Sequence, residues 1–68
     1  MLAYRNKNET IKCVIWDIIE DSIGQNIVYF TVNGCVGSTA KLRNDPDCGE
    51  LYFGWKEIPF YLKDFKEI

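Results

Sequence analysis

The sequence predicts a β-dominated α+β fold: an antiparallel meander of three to four strands followed by a short C-terminal helix. Three observations carry this. Residues 27–34 read I-V-Y-F-T-V-N-G, six consecutive β-branched or aromatic residues that pack well on a pleated surface and lose rotamer freedom in a helix. The run ends in Asn33-Gly34, a dipeptide that tolerates positive φ at both positions and so suits a two-residue type I′ hairpin. From Ile58 onward the apolar period changes from two to the three-to-four spacing of a helix.

In chain order, residues 2–5 suit a short strand, and Asn6-Lys7-Asn8-Glu9 a polar turn. Residues 10–21, T-I-K-C-V-I-W-D-I-I-E-D, fit two patterns. Ile11, Val14, Ile15, Ile18 and Ile19 make a helical stripe with Asn8 as N-cap. Against it, β-branched residues crowd the stretch and three acids would fall in the last turn, where the helix dipole disfavours negative charge. A strand is therefore preferred. Its alternation puts Val14, Trp16 and Ile18 on one face and Cys13, Ile15, Asp17 and Ile19 on the other, a conflict that a β-bulge or burial on both sides would reconcile.

Residues 21–26, containing Gly24, form the turn into the central strand, whose faces carry Val28, Phe30 and Val32 against Ile27 and Tyr29. Cys35 to Leu42 returns as a third strand weakened or bulged at Gly37. R-N-D-P-D-C-G, residues 43–49, is the clearest loop. Leu51, Phe53 and Trp55 then alternate with Glu50 and Tyr52 as in a half-buried strand. The helix is expected from about Pro59 to Lys66, with Ile58, Tyr61, Leu62, Phe65 and Ile68 as its stripe and Pro59 in its first turn.

Sixty-eight residues are expected to form one small globular domain, 1–68, with a thin core, because a chain this short buries only roughly 60% of its unfolded surface. Yet 47% of the residues are hydrophobic and 15% aromatic. That is more apolar material than a thin core comfortably hides, and the excess points to an interaction surface or a dimer, although scattered exposed aromatics are also ordinary. The formal net charge of -2 provides no overall positive field for nucleic acid or anionic lipid. Between Asp17 and Ala40 there are three acids and no base; elsewhere charges of both signs are interleaved, as on a solvated surface.

Catalytic equipment is sparse. The absence of histidine removes the commonest general base and the commonest nitrogen ligand for metals. Cys13, Cys35 and Cys48 are irregularly spaced and form no C-x-x-C pair, so they read as small buried hydrophobes, with a Cys35 to Cys48 bridge open in an oxidising compartment. Asp45-Pro46-Asp47-Cys48-Gly49-Glu50 does not match a calcium loop, and Gly34 and Gly37 do not make a phosphate loop. No enzyme, catalytic residue, metal, cofactor or small-molecule substrate is expected.

The remaining signal is aromatic. Tyr29, Tyr52, Trp55, Phe60 and Trp16 are the candidate partner-binding residues: Tyr52 as the outward side of its strand, Phe60 as the uncovered side of the helix, Trp16 without a fixed face. Tyr and Trp beside basic residues also suit stacking on unpaired bases. The acidic balance weights a protein partner or self-association above nucleic acid. With neither a signal-peptide stretch nor an apolar run long enough for a membrane span, a cytoplasmic protein with no membrane partner is expected.

The segment I-P-F-Y-L, Ile58 to Leu62, is similar to the I-P-x-x-Y-V ending of SH3 domains but one residue short, and the acidic and double-tryptophan motifs of that family are absent. A partly closed SH3- or OB-like barrel is thus one form the meander could take, without that family's peptide-binding residues. Small size, free cysteines and abundant Ile, Lys and Asn are typical of products of AT-rich phage or mobile-element genes. The expected function is a small non-catalytic interaction module, a regulator or inhibitor of a partner protein, with a single-stranded nucleic-acid-binding β-barrel as the alternative.

Overall fold

The computed structural model describes residues 2–6, 10–34 and 36–67. Among these residues, eight strands build two antiparallel sheets: β1 (Leu2–Arg5), β2 (Lys12–Glu20), β3 (Asn26–Val32), β4 (Ser38–Lys41), β5 (Arg43–Asn44), β6 (Leu51–Trp55), β7 (Ile58–Tyr61) and β8 (Lys66–Glu67). The larger sheet has the order β4-β3-β2-β1-β8 and the smaller β5-β6-β7. The first four strands are thus the meander expected from the sequence. β3 lies between β2 and β4, as its hydrophobic run demands.

One stretch of chain serves both sheets. β4 pairs with β3 and β5 pairs with β6, and the chain changes sheets at the intervening Leu42, whose N–H donates to the Asn26 carbonyl at 2.9 Å. The inner faces meet in a core of Cys13, Ile15, Val28, Phe30, Val32, Phe53, Phe60 and Phe65. Phe53 is central to it, with its ring centroid 4.7 Å from Phe30 on the other sheet, 5.5 Å from Phe60 and 5.9 Å from Phe65. Tyr4 completes the cluster against Phe60 and Phe65.

The bulge in β2 is real. The register with β3 slips between Ile15 and Asp17, leaving Trp16 as the extra residue. Ile15 pairs with buried Phe30, and beyond the bulge Ile18 pairs with buried Val28. Without the extra residue Asp17 would point into the core, where an unpaired carboxylate is costly. With it, Asp17 faces outward opposite Tyr29, and its Oδ1 accepts the Ile18 N–H at 2.9 Å.

Two expectations are corrected. The stretch from Pro59 to Lys66 is not an α-helix: it is β7, a 3-10 turn at Leu62–Asp64, and β8. Proline pushes the preceding Ile58 into extended backbone, and Phe60 is required opposite Phe53. Phe60, expected on the uncovered side of that helix, is only 2% exposed. The 3-10 turn then resets the phase so that Phe65 also faces the core, which explains how a helix-like spacing arose without a helix. The third strand is also shorter than expected. Asn33 and Gly34 both have positive φ, but the ladder resumes at Phe30 opposite Ser38, so the connection is longer than a two-residue hairpin. Cys35 lies outside the described residues, as do Lys7 to Glu9 of the expected polar turn.

The tight β6–β7 turn has positive φ at both Lys56 (46°) and Glu57 (68°), a type I′ geometry usually given to Asn and Gly. Replacing Lys56-Glu57 by Asn-Gly is expected to raise stability by about 0.5–1 kcal/mol in denaturant unfolding, because the left-handed conformation is then unstrained. Phe53→Ala, which cuts the link between the sheets, is expected to cost about 3–5 kcal/mol in the same assay, close to the whole stability of a domain this size.

Candidate functional site: the outer face of the larger sheet

The pairing fixes which side chains share the solvent side of the larger sheet, because directly opposed residues project to the same face. Its successive rows are Arg5 with Lys12; Lys66, Ala3, Val14 and Thr31; Asp17, Tyr29 and Thr39; and Ile19, Ile27 and Lys41. Trp16 joins this face through its bulge. Its indole Nε1–H donates to Thr31 Oγ1 at 3.0 Å, which ties the ring to the sheet while leaving 56% of the residue exposed. Tyr29 is 42% and Ile19 41% exposed. Ile23, at the tip of the β2–β3 turn, is 74% exposed.

That turn is built by Asp21, whose Oδ1 accepts the N–H groups of Ile23 at 3.0 Å and Gln25 at 2.8 Å. At the opposite end of the face, Asn33 Oδ1 accepts the Lys12 N–H at 2.7 Å and its Nδ2 donates to the Thr10 carbonyl at 3.1 Å. Both ends of the β2–β3 pair are therefore pinned by side chains. The exposed residues between them sit on a fixed backbone.

Of the five aromatic candidates, the structure brings Trp16 and Tyr29 together on this face. Tyr52 lies on the outer face of the smaller sheet, against Tyr61 at 5.5 Å and opposite Arg43. Trp55 is partly buried at the rim of the core, near Phe60 on one side and under the Lys56 ammonium, 5.0 Å from its ring, on the other. Phe60 belongs to the core. Ile19 was missed by sequence reasoning because simple alternation assigns it to the Cys13 face; only the bulge turns it outward. The cross-strand neighbours Arg5, Lys12 and Lys66 were missed because pairing register is not written in local sequence.

The smaller sheet carries a polar latch. Tyr61 Oη donates to Asp45 Oδ2 at 2.6 Å, while Asp45 Oδ1 accepts the Asp47 N–H at 2.8 Å. The Tyr61 hydroxyl, with backbone N–H groups, holds the Asp45 carboxyl below its usual range, and the carboxylate in turn pushes the Tyr61 hydroxyl up to about 12. Lys63 sits over the Tyr61 ring at 5.7 Å.

Among the described thiols, Cys13 is fully buried, and loss of solvation pushes it up to about 12, so no thiolate forms near neutrality. Cys48 is free and exposed; Cys35, its possible partner, is not described. Among the described residues, no group of three His, Cys, Asp or Glu side chains is placed to hold a metal ion, and no helix is long and apolar enough to cross a membrane. Comparison with family models, with curated proteins and with solved structures finds no match.

Two outcomes follow from these groups. A thiol reagent at neutral pH is expected to modify Cys48 in the folded protein but Cys13 only on unfolding, as peptide mapping would show. For the latch, the sign is set by both shifts. Asp45, lowered on folding, stabilises above the ordinary carboxylate range and loses that contribution as pH falls through its lowered value. Tyr61, raised on folding, stabilises below its ordinary value near 10 and loses that contribution as pH rises through about 12. The Tm difference between the natural protein and Tyr61→Phe should therefore be widest between those limits, small in size because the pair is solvent-accessible, and narrow on acidification.

Proposed function

We propose that the protein is a small non-catalytic interaction module, acting as a regulator or inhibitor by laying the outer face of its larger sheet on a partner protein or on a second copy of itself. The observation that carries this is the placement of Trp16, Tyr29 and Ile19 on one face of a pinned strand pair, while the phenylalanines are consumed by the core. Trp and Tyr are the residues that most often anchor protein interfaces, since each presents a large rigid surface with a polar handle. Val14 and Ile27, in neighbouring rows, widen the apolar area around them. The two sheets, sharing one strand bent at Leu42, act in this reading as a partly closed small barrel whose only task is to hold that face flat and rigid. A cytoplasmic setting and a phage or mobile-element origin fit the composition.

Affinity capture with the natural protein and with a Trp16→Ala/Tyr29→Ala double variant tests the reading. The expected result is a protein partner, or a dimeric mass in solution, that the double variant loses while its unfolding midpoint stays within about 1 kcal/mol of the natural one, as for exposed positions. A monomer with no variant-sensitive partner overturns it.

A second reading, single-stranded nucleic-acid binding, is favoured by a different strip. Arg43, Tyr52 and Tyr61 lie together on the smaller sheet, with the ammonium of Lys63 from the following 3-10 turn over the Tyr61 ring, combining two aromatic rings with two cations. Arg43 also borders a groove of about 400 Å³ with Lys41, Asn44 and Gln25. This reading predicts that labelled oligothymidylate binds at low salt, weakens steeply with added salt, and weakens again in Tyr52→Ala or Arg43→Ala. Absence of binding at low salt eliminates it.

A further inference from the structure

One end of the outer face differs in charge from the rest. Arg5 and Lys12 are direct cross-strand partners on β1 and β2, a like-charge pairing that sheets ordinarily avoid. Lys66 on β8 pairs with Ala3, the small residue two positions from Arg5 on the same face. Ala3, Arg5, Lys12, Lys66 and Asp64 line a hollow of about 380 Å³. Among the described residues that line it, three cations thus face one carboxylate around a floor kept open by an alanine. Arg5 has an interaction of its own, and Lys12 and Lys66 stand exposed beside it.

The hollow continues into the aromatic patch. Val14 lies beside Ala3 and is followed on the same face by Trp16, hydrogen-bonded to Thr31. Beyond them Asp17 stands opposite Tyr29, and the last row of the face holds Ile19, Ile27 and Lys41. The face therefore runs from a basic end, through apolar and aromatic side chains, to a far end where one carboxylate, Asp17, and one cation, Lys41, offset each other. A polyphosphate track would meet repulsion at Asp17 beside the very ring on which its bases would stack. A short acidic peptide segment ending in an apolar residue meets cations first and then Val14 and Trp16.

We propose that the hollow over Ala3 is a carboxylate-binding subsite of the interaction face, and that the occupant is an acidic segment of a protein partner whose adjoining apolar side chain rests on Val14 and Trp16. This deepens the interaction-module reading and rests on it. Lys12 and Lys66 supply charge complementarity and orientation, and Trp16 supplies the anchor. The direction is set by the cations beside Ala3 and the apolar side chains next to them: glutamate or aspartate residues over β8 and β1, apolar residues toward Tyr29.

The probe is a fluorescein-labelled peptide made of a short glutamate run followed by leucines, compared with its glutamine counterpart and with labelled oligothymidylate, by anisotropy and amide shift mapping. The glutamate peptide is expected to bind at least about tenfold tighter than the glutamine peptide, and to weaken about tenfold between low salt and roughly 0.15 M ionic strength. Its amide shifts should centre on β1, the start of β2 and β8. Lys12→Glu/Lys66→Glu, at exposed positions, should abolish that preference, and Trp16→Ala should weaken both peptides. Equal binding of the two peptides with continued sensitivity to Trp16→Ala overturns the subsite while leaving the interaction face standing. Charge-dependent binding that ignores Trp16→Ala overturns the aromatic face as the anchor. Tighter binding of oligothymidylate at the same residues assigns the hollow to phosphate and overturns the proposal, as does failure of every probe to bind.

Discussion

The contact between Phe53 and Phe30, ring centroids 4.7 Å apart, is the constraint on which the rest of the structure depends. Neither sheet can exist alone: the smaller has three strands, one of them only two residues long, and the larger has a single apolar inner face. Each buried phenylalanine removes enough apolar area from water to contribute about 1.5–3 kcal/mol, so the four of the core represent most of what a chain this short can gather. To bring Phe53, Phe60 and Phe65 to one place, the chain must bend at Leu42, turn back at Lys56-Glu57 and reset its phase at Leu62–Asp64. The strained left-handed turn at Lys56-Glu57 is required because the ladder that sets Phe53 opposite Phe60 continues to Trp55 opposite Ile58, leaving two residues for the connection.

Core formation also decides which aromatics are left for a partner. All four phenylalanines are consumed, Trp55 is half-covered, and Tyr52 and Tyr61 lie against each other. Among the described residues, no aromatic ring packs on Trp16 or Tyr29, and a hydrogen bond to Thr31 fixes the exposed indole of Trp16 on the sheet. The bulge is the cause. By adding one residue it frees the core from Asp17 and turns Ile19 outward in the same step, so a requirement of folding produces the surface that the functional reading uses.

Much of the fold was legible in the sequence wherever period two was locally strong. The β3 run, the alternation around Phe53 and the conflict at Trp16-Asp17 each corresponded to a strand, a buried ring and a bulge. The C-terminal stretch was not legible, because a 3-10 turn between two short strands mimics helical spacing when every third or fourth residue is apolar. Nor was the turn at Lys56-Glu57, whose residues carry none of the usual type I′ chemistry. The site was half legible. Trp16 and Tyr29 stood out by residue type, but their company with Ile19, Lys12, Arg5 and Lys66 depends on register, which local sequence does not encode.

Register also explains why a chain with net charge -2 presents a basic hollow at all. Lys12 and Arg5 are separated by six residues in sequence and adjacent across the ladder; Lys66 comes from the far end of the chain and reaches them only because β8 adds to the edge of β1. A two-residue edge strand contributes little backbone pairing, yet it covers the open edge of β1 and so blunts a site where another chain could pair. The same placement turns three scattered cations into one local field. Over distances near the Debye length, about 8 Å at physiological ionic strength, that local field rather than the net charge is what an approaching group meets. An acidic segment is therefore drawn to the Lys12 and Lys66 end of the face, while at the other end Asp17 and Lys41 offset each other, which gives the docking a direction before any apolar contact forms.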